Sequence, residues 1–321
     1  MATRDQHPIP SGYGRATTAS EVLQGISLEK RNFVVTGGYS GIGLETVRAL
    51  AAAGANVTVP ARSPKKAEEA LEGIEGSIEV DEMDLASVRK FAREFSQTGW
   101  PLHGLINNAG IMASPLARVG DGWESQFAIC YIRHFELARG LEEPLKDTVG
   151  ARVVALSSIA HARSDIIWDD IHFRNRPYHK WEAYGQAKTA DALFALGLDR
   201  RSKSDGVRAF SVHPGGIFTP LQRHLSDEEM VAMGWKAADG TIPPMVQARF
   251  KSPAAGAATA VWCATSPQLD DRGGVYCEDC DIAQLAGPAS QRWEPVRPWA
   301  CDDASADRLW SLTETMIGPH D

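Results

Sequence analysis

Short apolar, β-branched runs alternate along the chain with longer segments of helical period. "NFVVT" is followed by "GLETVRALAAAG", and "NVTVP" by "KKAEEALEG". The rhythm continues through "SIEVDEMD", "ASVRKFAREFSQ", "LHGLINNAG", "WESQFAICYIRHFELARGLEEPLK", "ARVVALSS", the amphipathic pattern "WEAYGQAKTADALFALGLDR" and "VRAFSVHPGG". Such alternation, joined by right-handed crossovers, predicts an α/β fold: one doubly wound parallel sheet with helices on both faces. No repeat, low-complexity tract or linker cuts it. The expected organisation is a polar leader over 1–27 and a single domain over 28–321. Pro- and Gly-rich segments at 214–253 and 286–300 read as loops over the C-terminal edge of the sheet, where open α/β sheets bind ligands. Within them, about 219–250 is the expected substrate lid, and about 283–321 forms a C-terminal extension.

Composition narrows the function classes. With 321 residues, 43% of them hydrophobic, the chain can bury a full core. The net charge of -8 is dispersed and no basic block tracks phosphates, so nucleic acid is not an expected partner. Five cysteines lack framework spacing, and only Cys277 and Cys280 form a C-x-x-C pair, without a second pair to complete a zinc site. Reduced thiols in the cytoplasm are expected. The leader has no apolar core of the secretory kind, and no run approaches the roughly 18 apolar residues of a membrane span. Membrane association is therefore not expected either.

"VVTGGYSGIGLETVRAL" sets Gly37, Gly41 and Gly43 between the first strand and the first helix. Glycines there permit left-handed backbone and bring N–H groups against a pyrophosphate at the positive end of a helix. Three glycines alone are weak evidence, and a tight turn without a ligand is the bland alternative. Their placement between strand and helix, opening a βαβ unit, favours a dinucleotide site. The next strand ends in "VTVPARSPKK" with no acidic residue to accept ribose hydroxyls. Arg62, with Ser63 and Lys65 and Lys66 behind it, suits the 2′-phosphate of NADP, with NAD the alternative cofactor. Solvated charges at a helix start are the competing explanation.

Tyr184 and Lys188 stand four apart, on one face of a helix. An ammonium beside a phenol favours phenolate and pulls the tyrosine pKa down from about 10, making Tyr184 a candidate general acid/base. Alone, the pair occurs by chance in many helices. "VVALSSIA" adds Ser157 and Ser158 at a strand end, where a hydroxyl can bind a substrate oxygen.

Together, "TGGYSGIG", Asp84 in "MDL", "NNAG", Ser157, "YGQAK" and "HPGGIFT" resemble the short-chain dehydrogenase/reductase family over about residues 28–282. The resemblance implies a Rossmann-type domain binding NADP(H) and a hydride transfer between nicotinamide and a carbonyl or secondary alcohol of a small organic substrate. It implies Tyr184 as acid/base, Ser157 as the group holding the reacting oxygen, and Lys188 on the nicotinamide ribose. It further implies cofactor contacts from Gly37, Tyr39, Ser40, Gly41, Ile42 and Gly43, from Arg62, Asp84 and Leu85, from Asn107, Ala109 and Gly110, and from Pro214, Gly215, Ile217 and Thr219. The long stretch between Ser157 and Tyr184 is similar to the retinol-dehydrogenase-like and protochlorophyllide-reductase-like branch, where "YCEDC" recurs as a late-strand feature. A homodimer through the long central helices is implied by the family, although the branch includes monomers.

The pattern breaks on the central helix. The family writes F-x-x-N-x-x-G-x-F; this chain writes "FAICYIRHF", with Cys130 at the asparagine and Arg133 at the glycine. In the family that asparagine bulges the helix and holds a water that passes protons to the lysine. A thiol is a weak donor and acceptor. Either another group completes the relay, or turnover is slowed, or the chain is a cofactor-binding regulatory or scaffold protein. As a buried cysteine in a helix, Cys130 reads first as a small hydrophobe. Arg133 anchors an acidic partner or reaches solvent. His134, His161 and His213 lack metal spacing and read as structural, so no metal is expected. Trp168, Trp181, Trp235 and Trp262 suit either an aromatic pocket or plain packing.

Overall fold

Because helices cover both faces of the sheet, a central strand has no wet side; β1 (Asn32–Val35) is accordingly buried at every position. The computed structural model describes residues 5–84, 86–291 and 295–319. After β1 come β2 (Asn56–Ala61), β3 (Ser77–Glu82), β4 (Gly104–Asn107), β5 (Arg152–Leu156), β6 (Arg208–His213), β7 (Val275–Glu278) and β8 (Asp281–Ile282). They form one sheet in the order β8-β7-β6-β5-β4-β1-β2-β3. The order reverses between β1 and β4, so successive connections leave in opposite directions there and a crevice opens above the strand ends.

Every pairing is parallel except β7 with β8, an antiparallel edge that the alternation of strand and helix did not predict. Asp279 and Cys280 turn that hairpin with φ of 51° and 59°, the two left-handed residues a two-residue connection requires. Cys277 and Cys280 are therefore a strand residue and a turn residue. Both are buried and unbonded, as are Cys130, Cys263 and Cys301.

The helix bearing Tyr184, Lys180–Ser202, differs from its amphipathic reading. Nearly every side chain from Ala183 to Asp199 is buried. The helix lies between the sheet, the C-terminal helix Asp303–Ile317 and the central helix, which leaves it no solvent face. The central helix has three parts: Ser125–Phe127, a π-helical turn Ala128–Ile132, and Arg133–Gly140.

The leader packs onto the domain. Its short helix Ala19–Val22 is closed by a Thr18–Glu21 capping box, and Val22, Leu23 and Leu28 enter the core beside the helix Pro253–Thr265. Gln6 donates to the carbonyls of Tyr276 and Ala283 at 2.9 and 2.7 Å and accepts from the Tyr276 amide at 2.9 Å. The segment 219–250 carries a 3-10 turn Pro220–His224 and two short helices, Asp227–Ala232 and Pro244–Arg249.

Candidate active site

A cleft of about 1020 Å³ lies over the C-terminal strand ends, from Arg62 and Asp84 at one end to Trp181 and Trp235 at the other. Its floor is the glycine loop. Gly37 has φ of 64°, and a Cβ on Gly43 would sit 2.3 Å from the Gly37 carbonyl oxygen and 2.4 Å from Asn108 Nδ2. Only glycine fits at position 43. Ser40, the N-cap of the helix Gly41–Ala52, makes no side-chain cap, so the first N–H groups stay available to an anion. Tyr39, Ser40, Gly41 and Ile42 line the cleft, as do Pro214, Gly215, Ile217 and Thr219 on the opposite wall. Arg62 is exposed at the cleft mouth. Asp84 also faces the cleft, one carboxylate oxygen accepting from the amides of Ala86 and Ser87, both at 2.8 Å. Hydrogen bonds from Ser87 and these amides hold its pKa below the usual range. Leu85 lies outside the described residues. A cradle that excludes a Cβ, uncapped helix N–H groups and a cation at the second strand end fit a dinucleotide phosphate.

Tyr184, Lys188 and the serine pair meet in the middle of this cleft. Lys188 Nζ stands 5.7 Å from the Tyr184 ring centre. It donates to the Leu156 carbonyl at 2.7 Å and to Asp191 Oδ2 at 2.8 Å, with Lys188 and Asp191 both buried. Burial raises the Tyr184 pKa, and Lys188 only partly offsets it. The expected downward pull of the lysine exists but is outweighed by burial. The phenol is buried, and a carboxylate already balances the neighbouring charge.

At two doublets the structure distinguishes the neighbours. Ser157 lines the cleft, but its Oγ donates to the Lys188 carbonyl at 2.6 Å and bonds the Tyr276 hydroxyl. Ser158 Oγ bonds Tyr184 and accepts from the Ala160 amide at 3.1 Å. Likewise Asn107 is buried at the end of β4 with both amide atoms unpaired, whereas Asn108 lines the cleft and donates to the Thr36 carbonyl at 2.8 Å. Consecutive residues at a strand end point to opposite sides, so a doublet cannot reveal which member faces the cleft. Ala109 and Gly110 line the cleft as expected. A Cβ on Gly110 would lie 3.4 Å from Cys130 Sγ and 3.9 Å from Lys188 Nζ.

Cys130 does not abolish the bulge. The π turn is present, and the thiol donates to the Ile111 carbonyl at 3.5 Å. The Cys130 carbonyl accepts from His134 Nδ1 at 2.8 Å, and His134 Nε2 meets Thr36 Oγ1 at 2.9 Å. One ring thereby satisfies the carbonyl that the widened turn releases. Burial pushes the His134 pKa down to about 4, so the ring is neutral. Arg133 pairs with Glu136 at 2.5 Å and lies over the Trp123 ring at 5.0 Å, an internal contact. His161 is buried and His213 half-buried, both are hydrogen-bonded, and desolvation lowers their pKa values to about 4 and 3.

Beyond Tyr184 the cleft is lined by apolar and aromatic side chains along with Arg163, Gln222, Arg223 and Arg249. Met112, Leu221, Met233, Trp181 and Trp235 surround it, and the two indoles meet edge to face at 6.3 Å. Arg163 stacks over Trp181 at 4.9 Å. A Lys180–Glu229 ion pair ties the helix Asp227–Ala232 to the start of the Tyr184 helix. Trp262, by contrast, is wholly core, and Trp168 packs at the surface under Arg308.

A doubly wound sheet with a glycine cradle and a buried tyrosine–lysine pair defines a nucleotide-dependent oxidoreductase. The family model described as short chain dehydrogenase matches residues 31–230. The protein called "Probable oxidoreductase" from Streptomyces lividans is 44% identical over 293 residues, covering 89% of this chain and 97% of its own. An uncharacterised protein from Mycobacterium paratuberculosis is 31% identical with a TM-score of 0.69, covering 95% of this chain and 97% of its own. The Pseudomonas aeruginosa RhlG/NADP complex shares the fold at 22% identity and a TM-score of 0.61, over 78% of this chain and 95% of its own. The chain belongs to the short-chain dehydrogenase/reductase family, including its protochlorophyllide-reductase-like branch.

Proposed function

We propose that this protein is an NADPH-dependent reductase of apolar ketones or aldehydes, with the secondary alcohol as product. The observation that carries the reading is the convergence of Tyr184, Lys188 and Ser158 on one cleft whose far wall is aromatic. A dinucleotide held by its phosphates at the glycine cradle would supply the hydride from its nicotinamide. Ser158 donates to the carbonyl oxygen, and Tyr184 gives that oxygen its proton. A pKa raised by burial keeps Tyr184 a phenol near neutrality, which suits an acid and hence the reductive direction. Lys188 holds its ammonium beside the ring and towards the ribose. Arg62 takes the 2′-phosphate, a choice supported by the NADP that the RhlG complex carries and by the lack of a carboxylate at the end of β2. Trp181, Met233 and Trp235 exclude water and bind the apolar part of the substrate. Five buried, unpaired thiols support the reducing cytoplasm.

The scaffold alternative rests on Cys130, and the anchored Lys188 argues against it. The test is NADPH oxidation across a panel of aryl and alkyl ketones and aldehydes. Tyr184→Phe should cut kcat by about 10²–10⁴ while NADPH affinity stays nearly constant. An undiminished rate rejects the assigned acid.

A further inference from the structure

Cys130 leaves a gap in the chemistry. A lysine buried to 5% exposure needs a counter-charge or a polar anchor. Position 130 supplies neither: its thiol is turned to the Ile111 carbonyl, and its own carbonyl is engaged by His134. One turn further along the Tyr184 helix, Asp191 is 2% exposed and bonds Lys188 at 2.8 Å. Leu156, at the end of β5, contributes a second acceptor at 2.7 Å. The ammonium thus has a strand carbonyl on one side and a carboxylate on the other.

We infer that Asp191 fills the place of the absent relay asparagine, acting as the positioning residue that holds the Lys188 ammonium beside Tyr184. The inference rests on the reductase reading above. Other groups act on the pair from several elements. Tyr184 lies on the same helix, Cys130 and Tyr131 belong to the π turn, and His134 follows them. Tyr276 on β7 reaches the Lys188 carbonyl through Ser157. Burial opposes the charge on Lys188, but Asp191, the largest of the opposing influences, holds its pKa above the ordinary range. Asp191 has a second effect. Its negative charge offsets part of the field that Lys188 exerts on the phenol, so Tyr184 keeps its proton to higher pH than it would beside a lone ammonium.

The two effects share a sign in the reductive reaction, which needs both the ammonium and the phenol. Removing the carboxylate lets Lys188 lose its proton earlier, or lets Tyr184 ionise earlier. Either event moves the alkaline limb of the reduction to lower pH. The direct test is Asp191→Asn in protein carrying ¹⁵Nζ-labelled lysine, titrated by NMR without cofactor, with Lys188→Met identifying the resonance. The Lys188 pKa should fall by about one unit or more, and the alkaline limb of kcat/KM for NADPH-linked reduction should fall by a similar amount. A Lys188 titration that does not move overturns the inference, and so does a shifted lysine with an unmoved limb. A second variant covers the case in which Asp191→Asn fails to fold. Cys130→Asn should leave kcat/KM within about twofold, because the anchor no longer depends on position 130; a gain of tenfold or more refutes the role of Asp191. If no carbonyl is turned over by the native protein, the reductase reading fails, while the NMR shift still decides whether Asp191 sets the state of Lys188.

Discussion

Alanine at each of the two adjacent serines should produce opposite phenotypes. Ser157 Oγ donates 2.6 Å to the Lys188 carbonyl and bonds the Tyr276 hydroxyl, all in buried surroundings. Ser157→Ala leaves those partners short of a hydrogen bond, which costs about 1–3 kcal/mol of stability. For a domain of this size each kcal/mol lowers Tm by about 2–4 °C. Ser158 is only partly buried and bonds Tyr184, so in the proposed reaction it is the serine that holds the reacting oxygen. Ser158→Ala should lower kcat by about 10²–10³, the usual effect of removing one donor to a developing oxyanion, with little change in Tm. Calorimetry and NADPH-coupled initial rates on the two purified variants separate these outcomes. If Ser157→Ala destroys turnover at unchanged Tm while Ser158→Ala remains active, the assignment made from the structure is wrong and Ser157 is the catalytic serine.

Other substitutions probe the remaining parts. Arg62→Ala should weaken NADPH by about 10–100-fold, from the loss of a charged hydrogen bond, and leave NADH unaffected; equal weakening of both in equilibrium titrations contradicts the 2′-phosphate role. Gly43→Ala forces a Cβ to 2.3 Å from the Gly37 oxygen and should cost about 1–3 kcal/mol in urea denaturation, with NADPH binding lost as the cradle shifts. His134, His161 and His213 have pKa values lowered by burial to about 4, 4 and 3. The unfolded chain protonates these rings near 6.5, so their contribution to stability is complete above that pH and is lost as pH falls towards 4, by about 1–2 kcal/mol each at pH 5. A urea midpoint that rises from pH 7 to pH 5 contradicts this account.

The layered sheet was legible because its strands are β-branched runs separated by helical periods, and that signal survives without tertiary knowledge. The glycine loop and the tyrosine–lysine pair were legible because spacing alone puts them on one turn and one helix face. Side-chain phase at strand ends was not. "SS" and "NN" offer two identical residues, and only the coordinates show that Ser158 is the serine bonded to Tyr184 and that Asn108, rather than Asn107, lines the cleft. Asp191 was overlooked for a different reason. The helix looked amphipathic, so an acidic residue three positions past Lys188 could be taken as solvated, whereas neighbours on every side bury it. The leader hid its few anchors, Gln6, Val22 and Leu23, within a polar composition. Whether loops 219–250 face a ligand could not be read from period, because a lid obeys the shape of what it covers.

At the widened turn, geometry and chemistry have been divided between two side chains. The imidazole of His134 secures the backbone path, so the residue at the apex is released from that duty and can be a thiol without straightening the helix. Replacing the ring, not the sulfur, is therefore what should collapse the local fold there, and sequence change at position 130 becomes inexpensive for architecture.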